Sequence, residues 1–358
     1  MYTDDELAVI ALDSINGIEY KYKSGILQLV KNPSELFSFD ENISRGIEKI
    51  IDKSKVNTVR LCFEKSYVDG IIQKLVARNV TAVTYLSKAY PESLVNISAF
   101  PLVLYCKGNL SLLSSGIRFG AVGSRKTLPY ALKFCENVCR RLSEAGVVVV
   151  SGSADGADRA SLCGALESGN VISVLAHGHD MCYPESNREL IGRVAEKGLV
   201  VSEYPPDFPS RAWTFPVRNR IIAGLSQGVL IVSGEMTSGA RHTANYAVEY
   251  NRDVYALPYS IGVRSGELCN YLIKNGAYLC DCEEDVLSAL NLEFQETAVA
   301  LDGTETTVYN ALKGGVDNVN DLILQSELKV FELAPVLSSL ELKGLIVRLA
   351  GNKFKVIK

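Results

Sequence analysis

Hydrophobic and polar positions fall into three regimes along the chain. Over residues 1 to about 80, apolar positions recur three and four apart in "DELAVIALDSI", "SGILQLV", "SRGIEKIIDKS" and "VDGIIQKLVARN", which predicts short amphipathic helices. "YPESLVNISAFPLVLYCKG" breaks that pattern with prolines and a strand-like "PLVLYC". From Arg118 to about Cys280, the apolar runs "FGAVGS", "VVVVSG", "VISVLA", "LVVSEYP", "GVLIVSG" and "DVYALPY" alternate with helical patterns such as "YALKFCENVCRRLSEAG" and "GARHTANYAVEYN". Continuously apolar strands belong in a sheet covered on both faces. The alternation predicts an α/β fold with a Rossmann-like, doubly wound parallel sheet. Residues 304–358 give three helical segments and two strands around the turn Gly351–Asn352, a winged-helix pattern. The expected organisation is a helical N-terminal domain over 1–80, the Rossmann-like domain over 81–290 and a winged-helix domain over 300–358.

Composition narrows the functional classes only a little. The formal net charge of −4 over 358 residues does not announce a polyanion partner, so any such site must be a local patch. No apolar run approaches the ~20 residues of a membrane span. The start "MYTDDELAVIAL" lacks the basic region of a signal peptide. The expectation is a cytoplasmic protein without a membrane span. Nine cysteines without a CxxC pair, and only three histidines, predict buried reduced thiols and no metal site. "AHGHD", with His177 and His179, has no third ligand at a metal spacing and reads as a turn after a strand.

Charge placement changes the picture. No acid stands between Glu92 and Glu136, where Lys107, Arg118, Arg125, Lys126 and Lys133 occur. None stands between Asp207 and Glu235, where Arg211, Arg218 and Arg220 occur. In open α/β sheets ligands sit beyond the carboxyl ends of the strands. The loops expected there are "GAVGSRK", "SGSADGAD" (from Ser151 and Gly152), "FPVRNR" and "SGEMTSGARHT". Each sets small or hydroxyl residues, or a guanidinium, at a helix start, which favours phosphate. Pro216 suits the first position of a helix, so Arg218 is expected in the first turn. Arg220, two residues on, faces elsewhere and suits a structural pair. Phe215 fits either a core position or a base-stacking one. No nucleophile, general base and orienting group fall in a recognisable order, so no catalytic residue and no cofactor is expected.

In order, "AVGSRK", "VVSGSADGAD", "CYPESNREL", "LVVSEYPPDFP", "FPVRNRIIAGLS", "SGARHTANYAVEYNRDVYALP" and "LIKNGA" resemble the DNA-processing protein A (DprA, or Smf) family. The resemblance implies a protein that binds single-stranded DNA, dimerises through its sheet domain and loads a RecA-type recombinase during natural transformation, without catalytic turnover. Motif by motif, it implies phosphate contacts from Gly123, Ser124 and Arg125, from Arg218, Asn219 and Arg220, and from Ser238, Gly239 and Thr243. Lys107, Lys126 and Arg211 would support them. The chain departs from the family pattern at Asp155, Ala157, Leu162 and Tyr259, which bears on the shape of the pocket. The N-terminal helices are only faintly similar to a helix–hairpin–helix and are assigned no DNA contact. An alternative is a nucleoside-monophosphate hydrolase of the related Rossmann-like group. Its glycine-rich loop carries a catalytic glutamate, but "TSGARHTANYAVE" has none before Glu249. A nucleotide-sensing protein is a third reading. In the tail, Glu332 and Glu341 mix with Lys329 and Lys343, which favours a protein-binding or regulatory role over DNA reading.

Overall fold

The computed structural model describes residues 2–114, 116–292, 301–326, 328–349 and 351–357. Two compact units divide the chain, residues 1–293 and 294–358. The first is built on a sheet of strands β1 (Thr81–Thr84), β2 (Val103–Gly108), β3 (Arg118–Val122), β4 (Val148–Ser151), β5 (Val171–Val174), β6 (Leu199–Ser202), β7 (Gly228–Ile231), β8 (Asp253–Ala256) and β9 (Tyr278–Leu279). Their order is β1-β2-β6-β5-β4-β3-β7-β8-β9. From β6 to β9 the neighbours are parallel, as the six apolar runs predict. Every residue of β4 to β7 is buried, because helices cover both faces. The sheet is not purely parallel: β1–β2 and β2–β6 are antiparallel. Neither the short β1 nor the two-residue, solvent-exposed β9 carries an apolar run long enough to announce itself.

The N-terminal helices have a core of their own around Leu12, Ile26, Leu36 and Ile47. A second core sets Val9, Ile10 and Leu75 against Val103 and Tyr105 of β2. A buried polar contact crosses the same junction: the Tyr105 hydroxyl donates to Asp13 Oδ2 at 3.1 Å, and Lys23 pairs with that carboxylate at 3.5 Å. Helix Lys53–Cys62 lies between two segments expected to be helical. Its polar sequence "KSKVNTVRLC" buries only Val59 and Cys62, too few to show periodicity.

The second unit contains helices Gly303–Lys313, Val319–Ser326 and Val330–Leu342 and the antiparallel pair β10 (Ile346–Leu349) and β11 (Lys353–Val356). Gly351 and Asn352 take the positive φ angles of 79° and 57° that the hairpin turn requires. Glu305 ties this unit together. Its carboxylate accepts from Lys343 Nζ at 2.7 and 2.5 Å, Ser339 Oγ at 2.6 Å and the Asp302 N–H at 2.9 Å. Lys343 and Ser339 hold the carboxyl down to about 2, below its ordinary 4.5. A carboxyl depressed in the folded state stabilises fully above its unfolded value and loses that contribution as pH falls through the folded one. The protection factors of the tail amides in hydrogen exchange should therefore fall from about pH 4.5 towards 2. Glu305→Gln should remove that slope, and an unchanged slope would discount the network.

Candidate nucleic-acid interface

Strand β3 has β4 on one side and β7 on the other, so chain order runs outwards in both directions from it. Such a switch point opens a crevice beyond the strands' carboxyl ends. Here the crevice holds a cavity of about 400 Å³. It gathers residues that are far apart in sequence: Gly123, Ser124, Arg125 and Lys126 after β3, Phe215, Arg218 and Asn219 from helix Thr214–Leu225, and Ser238, Gly239 and Thr243 around the start of helix Ala240–Glu249.

The loop after β3 is anchored to Ser233, just beyond β7, and braced by bonds of its own. The Ser124 N–H donates to the Ser233 carbonyl at 3.1 Å and to Ser233 Oγ at 3.0 Å. Ser124 Oγ accepts the Lys126 N–H at 3.1 Å, and Thr127 Oγ1 donates to the Ser124 carbonyl at 2.7 Å. A second loop lies against it: a Cβ on Gly156, whose φ is +80°, would stand 2.4 Å from the Ser124 carbonyl oxygen. With the backbone fixed this way, the Arg125 and Lys126 side chains are exposed. The Arg125 guanidinium lies over Phe215 at 5.4 Å and over Tyr183 at 5.6 Å. These two rings meet edge to face at 5.5 Å. A cation beside accessible aromatic faces, Tyr183 exposed and Phe215 half-buried, is the combination that grips single-stranded nucleic acid. Across the cavity, Asn219 Nδ2 donates to the Gly239 carbonyl at 3.2 Å and Ser238 Oγ accepts the Ala240 N–H at 3.3 Å. Thr243 Oγ1 is buried without a hydrogen-bond partner.

Arg218 does not stand in a first turn. The helix begins at Thr214, so Pro216 is its third residue and Arg218 its fifth. Proline is tolerated there because the first N–H groups of a helix have no intrahelical acceptor. Arg218 lines the floor of the cavity with only 4% of its side chain exposed, 3.7 Å from Asp158. It also donates to the Val174 carbonyl and, from Nε, to Asn219 Oδ1 at 3.1 Å. Burial pushes the Asp158 carboxyl up, against the pull of Arg218 and of the Ala154 and Gly123 N–H groups. Arg220 leaves the opposite side of the helix and pairs with Glu203, the structural pairing its spacing suggested. The windows that lack acids in sequence do not lack them in space. Asp158 arrives from the first turn of helix Ala157–Ala165, which follows β4, and Glu203 from the loop after β6.

Other expected residues lie outside this cavity. Ser151 Oγ donates to the Ala121 carbonyl at 2.6 Å inside the sheet. Gly152 packs beneath the Arg218 guanidinium, where a Cβ would come within 2.3 Å of Nη1. Lys107 lines two separate cavities beside β2, and Arg211 lines another beyond the helix. His177 and His179 occupy a loop after β5, where burial holds His179 down to about 4 while its Nε2 meets the Tyr105 carbonyl at 2.8 Å. Cys282 groups with Asp281 and Asp285, their ligand atoms within 4.8 Å of one another. Asp285 there accepts the Asp281 N–H at 2.9 Å from the first turn of helix Glu284–Ala289. Two residues escaped the sequence reading, Asp158 and Tyr183. Both lie inside motifs already quoted, "SGSADGAD" and "CYPESNREL", but nothing in the spacing aims them at Arg218 or Phe215.

Residues 81–291, which carry this sheet and cavity, match the family described as DNA recombination-mediator protein A. The chain belongs to that family. Residues 293–352 match the DprA winged helix domain. The chain is 35% identical over 223 residues to DNA processing protein DprA of Bacillus subtilis, covering 61% of this chain and 75% of that one. It is 40% identical over 204 residues to the Streptococcus pneumoniae protein, covering 57% and 72%. The X-ray structure of Streptococcus pneumoniae DprA superposes with a TM-score of 0.69 at 31% identity, covering 82% of this chain and 99% of that one. DNA processing protein A from Helicobacter pylori, described for its single-stranded DNA binding mode, superposes at 0.55 and 27% identity, covering 60% and 99%. Among the described residues no helix is long and apolar enough to cross a membrane.

Proposed function

We propose that this member of the family binds single-stranded DNA in the switch-point cavity and serves as a mediator in DNA uptake by natural transformation. It would act as a homodimer and pass the strand to a RecA-type recombinase. The observation that carries the binding reading is the convergence in one cavity of exposed Arg125 and Lys126, of Phe215, against which Tyr183 packs edge to face from a neighbouring loop, and of the unpartnered Thr243 hydroxyl. Cations and hydroxyls suit phosphate oxygens, which carry no base information, while a ring face accepts any base. Binding without turnover is favoured over glycosidic hydrolysis because Asp158, the carboxylate lining the cavity, is committed to Arg218 and to backbone N–H groups. It is not free to take a proton from water.

Gel shifts with single-stranded and duplex DNA over a salt series test this reading. Single strands should bind more tightly, since paired bases cannot reach Phe215. Arg125→Ala should weaken binding and lower the salt slope by about 0.7, one phosphate contact on a single strand. Duplex bound equally well by the parent would overturn the proposal, as would release of free base from a panel of nucleotides. Light scattering tests the homodimer, and a strand-exchange assay with a RecA-type protein tests the delivery step.

A further inference from the structure

We infer that the helix bearing Arg218 serves a bound strand on both faces: a further base stacks on Trp213, in the cavity behind the helix. This rests on the single-strand reading of the first cavity. Phe215, Arg218 and Asn219 face that first cavity. Trp213, Val217 and Arg220, spaced four and three apart on the other face, line a second cavity of about 620 Å³ between the sheet and the N-terminal helices. Its volume is in the range of nucleotide-sized ligands.

The contents of the second cavity suit a base. Trp213 is 57% exposed, although its other edge packs at 6.2 and 6.3 Å against Tyr204 and Phe208, themselves stacked at 4.5 Å. That is a rigid aromatic platform with one face left to solvent. Arg211, exposed on the same cavity, makes no ion pair among the described residues. The acids lining it are paired: Glu203 with Arg220, Asp13 with Lys23, and the exposed Glu19 with Lys21 at 3.2 Å. The Glu203–Arg220 pair leaves Arg220 Nη1 buried and without a hydrogen-bond partner, while Glu203 has the Tyr204 hydroxyl beside it. A buried donor left over is costly unless a ligand supplies an acceptor. A base edge carries such an acceptor, whereas an acyl chain offers none. The two cavities open on either side of the helix's N-terminal end, between Trp213 and Phe215, so one strand draped over that end serves both.

The sequence contains a single tryptophan, so fluorescence at Trp213 reports on this cavity. Oligothymidines spanning roughly 4 to 16 nucleotides, the range of one single-strand site, are titrated against the full chain. Longer strands should quench Trp213, and an abasic strand of equal length should bind without quenching. Trp213→Ala should weaken the longer strands roughly 5- to 150-fold, the range of one base–aromatic stack, and leave the shortest unaffected. Trp213→Phe, which keeps an aromatic against Tyr204 and Phe208, should recover most of that loss and controls for folding. If strands of every length bind without quenching, and Trp213→Ala binds them as the parent does, the second cavity takes no base and the first remains intact. If no oligothymidine binds the parent, both readings fall.

Discussion

Arg218→Ala should destabilise the 1–293 unit by about 3–5 kcal/mol, the cost of removing one partner from a buried ion pair. The guanidinium is 4% exposed and stands 3.7 Å from Asp158, itself 7% exposed. Its removal strands a carboxylate that burial already disfavours. The loss should appear as a lower urea midpoint with the slope of the transition unchanged. Replacing both partners, as Arg218→Leu with Asp158→Asn, should recover much of it, because a buried pair contributes little beyond its isosteres. Oligonucleotide binding by the folded fraction separates two roles for this arginine. A purely structural Arg218 leaves the salt slope at the parent value, whereas one that also touches phosphate lowers it by about 0.7.

Gly156→Ala should cut single-strand binding as deeply as any change made in the cavity itself, although Gly156 is not among the residues lining it. Its φ of +80° and ψ of −125° belong to a region that only glycine occupies without strain, which costs roughly 1–3 kcal/mol for another residue. The new Cβ would also meet two backbone oxygens, of Ser124 at 2.4 Å and of Arg125 at 2.7 Å. Backbone cannot rotate aside as a long side chain can, so the loop carrying Arg125 and Lys126 must move. Affinity should fall well beyond what the stability loss explains. A variant that unfolds more easily yet binds like the parent at low temperature would show that the loop tolerates the shift.

The central sheet was legible because "VVVVSG" or "GVLIVSG" has one physical reading, a strand hidden on both faces. The glycine, serine and threonine positions around the cavity were legible for a related reason. Close approach of backbone to an anion needs small residues at strand ends. Partnership was not legible. Arg218 finds Asp158 sixty residues earlier in the chain, and Arg220 finds Glu203 on another loop. Both acids lie outside the windows whose emptiness suggested free cations. The start of the Arg218 helix was misplaced by two residues because proline marks a first turn rather than a single position. Tyr183 joined Phe215 through a loop with no period to follow, and β1 and β9 are too short to leave a pattern.

The position of β3 between β4 and β7 also sets a timetable for the ribosome. The neighbour on one side, β4, follows soon after β3. The neighbour on the other side, Gly228–Ile231, waits until two further strands and their helices have been made. At synthesis rates of ~5–20 residues per second, the unpaired edge of β3 stands open for roughly 5–20 s, with "FGAV" offered to any strand nearby. Phe215, Asn219, Ser238 and Thr243 emerge in the same late stretch, so the nascent chain covers its most vulnerable edge and completes the walls of its cavity together.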